Sequence, residues 1–155
     1  MLLYRNHITG ATQILSIWDG TDSYDPIACL QSNGLSSERD VNEAPLTKCD
    51  YDTATSSFSN KDIVLGGKTD TASFEGLATE TETGKNTYIQ LKTLFDAGTL
   101  KTYKLSNVDG TNDLYFNGYI TSLELNSPNE ERSTFSGEIR VDKFGSHTTE
   151  PSTKY

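Results

Sequence analysis

The run from Thr134 to Val141 allows little choice of conformation. Phe135, Gly137, Ile139 and Val141 alternate there with Thr134, Ser136, Glu138 and Arg140, and a period of two puts one set on each face of an extended strand. The same alternation runs from Thr71 to Ala78, where Ala72, Phe74 and Ala78 oppose Thr71, Ser73 and Glu75. Runs of this kind must pair into a sheet and cover one face. Composition points the same way: 21 Thr and 16 Ser suit strands and turns better than helices. Leu, Ile, Val and Phe number 33 in 155 residues, just above the level of about 20% below which a charged chain tends to stay unfolded. One lean core, and hence one domain, is expected.

Further strands are expected from Thr12 to Trp18, ending at the Asp19-Gly20 turn, from Pro26 to Gln31 as its hairpin partner, and from Leu35 to Val41. More follow at Tyr103 to Leu105, Leu114 to Phe116 and Tyr119 to Leu125. One helix is expected, with Asn86 or Thr87 as N-cap, Gly98 as C-cap and a core-facing stripe of Ile89, Leu91, Leu94 and Phe95. Residues 42–68 have no sustained period and read as a long loop with isolated apolar anchors. The division is an arm at 1–11, a domain at 12–144 that carries this loop, and a polar, mobile tail at 145–155.

The chemistry of catalysis is not visible. The two histidines, His7 and His147, sit near the ends and no G-x-S-x-G occurs. Gly67-Lys68-Thr69 imitates the end of a phosphate-binding loop, but Asp62 stands where that loop needs a glycine. Asn107, Asp109, Asn112 and Asp113 offer oxygen atoms without calcium-loop spacing and read as a turn. Cys29 and Cys49 have no CxxC spacing and read as two reduced thiols. No enzyme, cofactor or metal is expected. The balance of 22 acidic against 13 basic residues, −9 at pH 7, repels phosphate and excludes sequence-specific nucleic-acid binding. No apolar run reaches the 18 or so residues of a membrane span, so a soluble, unexported chain is expected.

The stretch Gly118-Tyr119-Ile120-Thr121-Ser122-Leu123-Glu124-Leu125-Asn126-Ser127-Pro128-Asn129-Glu130-Glu131, followed by Ser133-Thr134-Phe135-Ser136-Gly137-Glu138-Ile139, resembles the C-terminal half of the major tail tube proteins of long-tailed bacteriophages. Three blocks support the resemblance in the same order: Ile27 to Glu38, Ser73 to Leu77, and Leu91 to Leu100. Together they cover about residues 12–143. The resemblance implies a mainly β fold, an antiparallel β-sandwich or half-barrel with one flanking α-helix. It also implies a structural virion protein that closes into rings, usually of six, which stack into a hollow tube for DNA ejection. The implied partners are further copies of the chain, a tape-measure protein and terminator or tip proteins, with DNA passing unbound. The implied location is the virion, after assembly in the cytoplasm of a bacterial host.

Under this resemblance the loop 42–68, through Leu46, Tyr51, Phe58, Ile63 and Leu65, is expected to stack rings. Glu38, Asp40, Glu75, Glu124 and Glu138, on the wet sides of alternating strands, are the candidates to face the lumen. The alternative is an independent carbohydrate-binding or adhesion module, for which eight tyrosines and Trp18 would supply stacking surfaces.

Overall fold

The computed structural model describes residues 13–43, 51–52, 57–58, 63–80, 83–107, 113–129 and 131–155. Among them the order is β1 (Gln13–Trp18), β2 (Tyr24–Pro26), β3 (Leu30–Glu43), β4 (Tyr51–Asp52), β5 (Ser57–Phe58), β6 (Ile63–Leu77), α1 (Tyr88–Ala97), β7 (Lys101–Asn107), β8 (Leu114–Asn126) and β9 (Thr134–His147). Seven strands form one sheet in the order β2-β1-β7-β8-β9-β6-β3, and β4 pairs with β5. The pairs β1–β2, β1–β7, β7–β8, β8–β9 and β6–β9 are antiparallel. β3 also runs antiparallel to β6, since Gly34 lies beside Ser73 and Asp40 beside Gly66. The expected class, mainly antiparallel β with one helix, is the observed one.

The chain divides into two compact units, Met1–Ser36 with Asp70–Tyr155, and Ser37–Thr69. In the first, the inward sets of the alternating strands meet in a single cluster. Leu15, Ile17, Tyr103, Leu105, Phe116, Ile120, Phe135, Ile139, Ala72 and Phe74 are buried together with Leu91 of α1. α1 forms where the sequence calls for it. Thr87 and Gln90 make a capping box in which the Thr87 backbone N–H donates to Gln90 Oε1 at 2.9 Å. Gly98 ends the helix at φ +59°, and its N–H returns to the Phe95 carbonyl.

Several expectations need correction. Ile89 is not a core residue: it is 60% exposed, and Leu91 holds the buried position, with Leu94 and Phe95 half-buried against the cluster. The partner of β1 across the Asp19 turn is Tyr24–Pro26, with Trp18 opposite Tyr24. The run from Leu30 instead opens β3 and continues unbroken to Glu43. The segment 42–68 is not a structureless loop, because β3 extends to its start and β6 begins at Ile63. The tail 145–155 is not free either. β9 runs to His147, and Tyr155 then docks on β7 by donating its N–H to Thr102 Oγ1 at 2.9 Å and accepting the Thr102 N–H at 3.2 Å.

The second unit carries residues 37–43 of β3, residues 63–69 of β6 and the β4–β5 pair, in which Tyr51 opposes Phe58. Ile63, Val64 and Leu65 are 63%, 58% and 60% exposed, and Val41 is 54% exposed. Leu46, His7 and Cys49 lie outside the described residues, as do Asp109 and Asn112 of the expected turn.

Candidate functional site

Next to a row in which Arg140 lies between Thr71 and Tyr119, the outward face of β6, β9 and β8 carries two rows of serine and glutamate. Register sets Ser73 opposite Glu138 and Glu138 opposite Ser122, then Glu75 opposite Ser136 and Ser136 opposite Glu124. The two rows read Ser-Glu-Ser and Glu-Ser-Glu across the strands. No glutamate has another directly opposite, where like charges are destabilising, and Glu138 meets Glu75 and Glu124 only on the diagonals, at about 7–8 Å. These residues, with Ser32 of β3, line a shallow open groove of about 540 Å³. All three glutamates are exposed.

The face depends on a bulge that the sequence alone does not announce. Along β8 the even positions Phe116, Gly118 and Ile120 are buried, and a strict period of two would bury Ser122 and Glu124 as well. Instead Ile120 pairs with Ile139 and Ser122 with Glu138, which leaves Thr121 as an extra residue, its hydroxyl donating to the Glu138 carbonyl at 3.4 Å. The parity then reverses: Leu123 packs against the core and Ser122 and Glu124 turn outward.

Three of the five acidic residues singled out from sequence, Glu75, Glu124 and Glu138, are therefore brought together. Glu38 and Asp40 are not; both are exposed residues of the second unit and neither lines the groove. Ile63 and Leu65 also belong to that unit and are solvent-exposed. Tyr51 and Phe58 are described by their backbone pairing. Ser73 and Ser136 are outward residues of the alternating runs in the sequence, but neither they nor Ser32 and Ser122 stand out there as residues of a site. Among the described residues no group of three His, Cys, Asp or Glu converges as metal ligands.

A second cluster joins the C-terminal segment to the other end of the sheet. Tyr24 stacks edge-on to Trp18, with ring centroids 5.1 Å apart, and tilts toward Tyr115 at 6.0 Å. Lys104 Nζ lies 5.7 Å from both tyrosine rings and 3.4 Å from Asp113. Lys154 Nζ sits 4.3 Å from the centre of the Trp18 ring and 2.7 Å from Glu150. The Lys154 ammonium, with lesser help from Tyr24 and Lys104, holds the Glu150 carboxyl below the usual carboxylate range. Burial, followed by the nearby Glu150 charge, raises the Tyr24 hydroxyl well above its ordinary value. Trp18 thus carries a lysine of its own chain on its ring, which is not the open platform a sugar-binding module needs.

No family model and no curated protein matches the sequence. Solved structures do match. The chain is similar to a subunit of the tail of an empty gene transfer agent particle refined with C6 symmetry, with a TM-score of 0.72 at 12% identity, over 93% of this chain and 100% of that one. It is similar to a chain in the virion of the native gene transfer agent particle, with a TM-score of 0.66 at 12% identity, over 88% and 95%. It is also similar to the SPP1 tail tube subunit, with a TM-score of 0.65 at 18% identity, over 90% and 77%. Among the described residues, an antiparallel sheet with a single helix is the fold shared with these tail and tail tube subunits.

Proposed function

We propose that this chain is the repeating subunit of a phage tail tube. Copies close into rings, six to a ring as in the C6 tail it resembles, and the rings stack around a channel through which DNA leaves. The observation that carries the reading is the likeness of 93% of the chain to a subunit of such a tail. The lean composition fits it, because neighbours supply burial that a polar chain lacks. In this role the protein is structural and performs no catalysis. Its partners are copies of itself first, then tape-measure and terminator or tip proteins, and its place is the virion after assembly in the host cytoplasm.

The Ser/Glu face is assigned to the channel wall. Clustered Lys or Arg would hold phosphates through counterion release, whereas a wall of hydroxyls and spaced carboxylates repels the duplex and keeps it hydrated. DNA passes without being bound. Contact between stacked rings is assigned to the second unit, whose Val41, Ile63, Val64 and Leu65 are exposed in the single chain.

Negative-stain electron microscopy of the purified chain over a range of concentrations tests the reading. Annuli and hollow tubes are expected. A chain that stays monomeric at every concentration and ionic strength contradicts it.

A further inference from the structure

We infer that neighbouring copies dock by inserting the Lys143–Phe144 knob of one into the cavity between α1 and β1 of the next. The inference rests on the tube reading and names the residues of a ring contact. Both partners belong to the first unit, and neither takes part in the Ser/Glu face.

The knob is a built feature. β9 slips against β8 between Val141, opposite Gly118, and Ser146, opposite Phe116, so residues 142–145 have only Asn117 across from them. This bulge is held by the Asp142 carboxylate, which accepts the Phe144 N–H at 3.0 Å, and by Gly145 at φ +71°. A bulge of this kind re-aims side chains out of the sheet. Phe144 is 66% exposed as a result, and Lys143 Nζ lies 5.1 Å from the centre of its ring. One strand position therefore presents an apolar ring and a cation as a unit.

The cavity has the opposite character. It holds about 320 Å³, with Ile17, Trp18 and Leu94 as its apolar lining and Asp19, Asp25 and Lys101 as its charged residues. Asp19 is exposed, and its charge is fixed by the N–H groups of Thr21, Asp22 and Ser23 at 2.7, 3.1 and 3.2 Å and by the Ser23 hydroxyl at 3.0 Å. A phenyl ring fits the apolar part and an ammonium meets the acidic excess. The knob is on β9 and the cavity on β1, separated in the sheet by β7 and β8. Each copy thus offers one of each at separate places in the sheet, a heterologous contact of the kind that closes rings.

The test uses the full chain, followed by sedimentation velocity and electron microscopy, with circular dichroism to confirm folding. Phe144→Ala and Lys143→Glu remove the knob. Thr93→Trp, on the helix that borders the cavity, and Asp25→Lys block the hole. Each single variant should remain folded and raise the concentration needed for assembly by at least about tenfold, as loss of an aromatic anchor does. A mixture of Phe144→Ala with Thr93→Trp, or with Asp25→Lys if that variant folds better, has one working contact and should stop at heterodimers. Lys143→Glu combined with Asp25→Lys in one chain should recover assembly. Wild-type tubes alongside unimpaired Phe144→Ala tubes overturn the knob and leave the tube reading standing. A mixture that makes tubes, or stays wholly monomeric while the wild type assembles, likewise overturns the knob. A wild type that never assembles overturns both.

Discussion

A β-carbon on Gly137 would lie 2.6 Å from Cζ of Phe74, directly across the β6–β9 pair. The ring fills the space the glycine leaves. One step along the same pair the roles exchange, with Phe135 opposite Gly76 and its Cζ 3.1 Å from where a Gly76 β-carbon would be. The two rings tilt together, with centroids 6.1 Å apart. The inner side of the strands that carry the Ser/Glu face is thus set by two Phe-over-Gly pairs.

Gly137→Ala should therefore destabilise the chain by about 1–3 kcal/mol, the usual cost of overpacking a filled core. The Ser122 carbonyl, 2.7 Å from the same β-carbon position, leaves the strand no room to shift. Phe74→Ala should cost about 3–5 kcal/mol. Urea denaturation measures both, and a Gly137→Ala variant as stable as the wild type would remove close packing as the reason for the glycine.

The helix gives a sharper contrast. Leu91 is fully buried and Ile89 is 60% exposed on the same ten-residue element. Leu91→Ala should cost about 2–5 kcal/mol, and Ile89→Ala should stay within about 0.5 kcal/mol, as surface changes do. Equal losses in the two variants would mean that the face turned to the sheet is not the one described.

The C-terminal segment should respond to acid. The Glu150 carboxyl is held below its ordinary 4.5, first by its hydrogen bond from Lys154. A depressed carboxylate contributes its stabilisation above the ordinary value and loses it as pH falls through the docked value. Docking of residues 150–155 should accordingly be pH-independent near neutrality and weaken below about 4.5. Because Trp18 is the only tryptophan and lies under Lys154, its fluorescence reports the release. Glu150→Gln should show a weakened contact already at neutral pH; an identical fluorescence titration in that variant would show that Glu150 does not govern docking.

What the sequence made legible was periodicity. Thr134 to Val141 and Thr71 to Ala78 keep their alternation in the fold, and the Thr87 and Gly98 caps bound α1. What stays hidden in the sequence are the positions where a long-range pairing decides. Thr121 bulges because of its register with Glu138, and nothing local marks it. Ile63 to Leu65, three apolar residues in succession, have no two-sided pattern, and strand pairing alone makes them extended. Tyr155 is polar-flanked and terminal in the sequence, yet its backbone bonds Thr102 of β7 just past the last β1–β7 pair, Ile17 with Tyr103. Glu75, Glu124 and Glu138 were visible one by one, but their interleaving with serine exists only through the register.

Each copy brings a charge of −9, so closing rings brings like charges together. Raising salt from 0.1 to 1 M shortens the screening length from about 10 to about 3 Å. Assembly should be promoted by added salt at fixed protein concentration, as followed by light scattering. Steady loss of scattering with salt would mean that attraction between opposite charges, and not screened repulsion, controls assembly.

The most direct measurement locates the Ser/Glu face in an assembled tube. In a chain with Cys29→Ser and Cys49→Ser, Glu138→Cys can be labelled with a small heavy-atom thiol reagent and the tubes reconstructed by electron microscopy. Label density is expected on the inner wall, repeated six times around each ring. Density on the outer surface, or between rings, would contradict that placement.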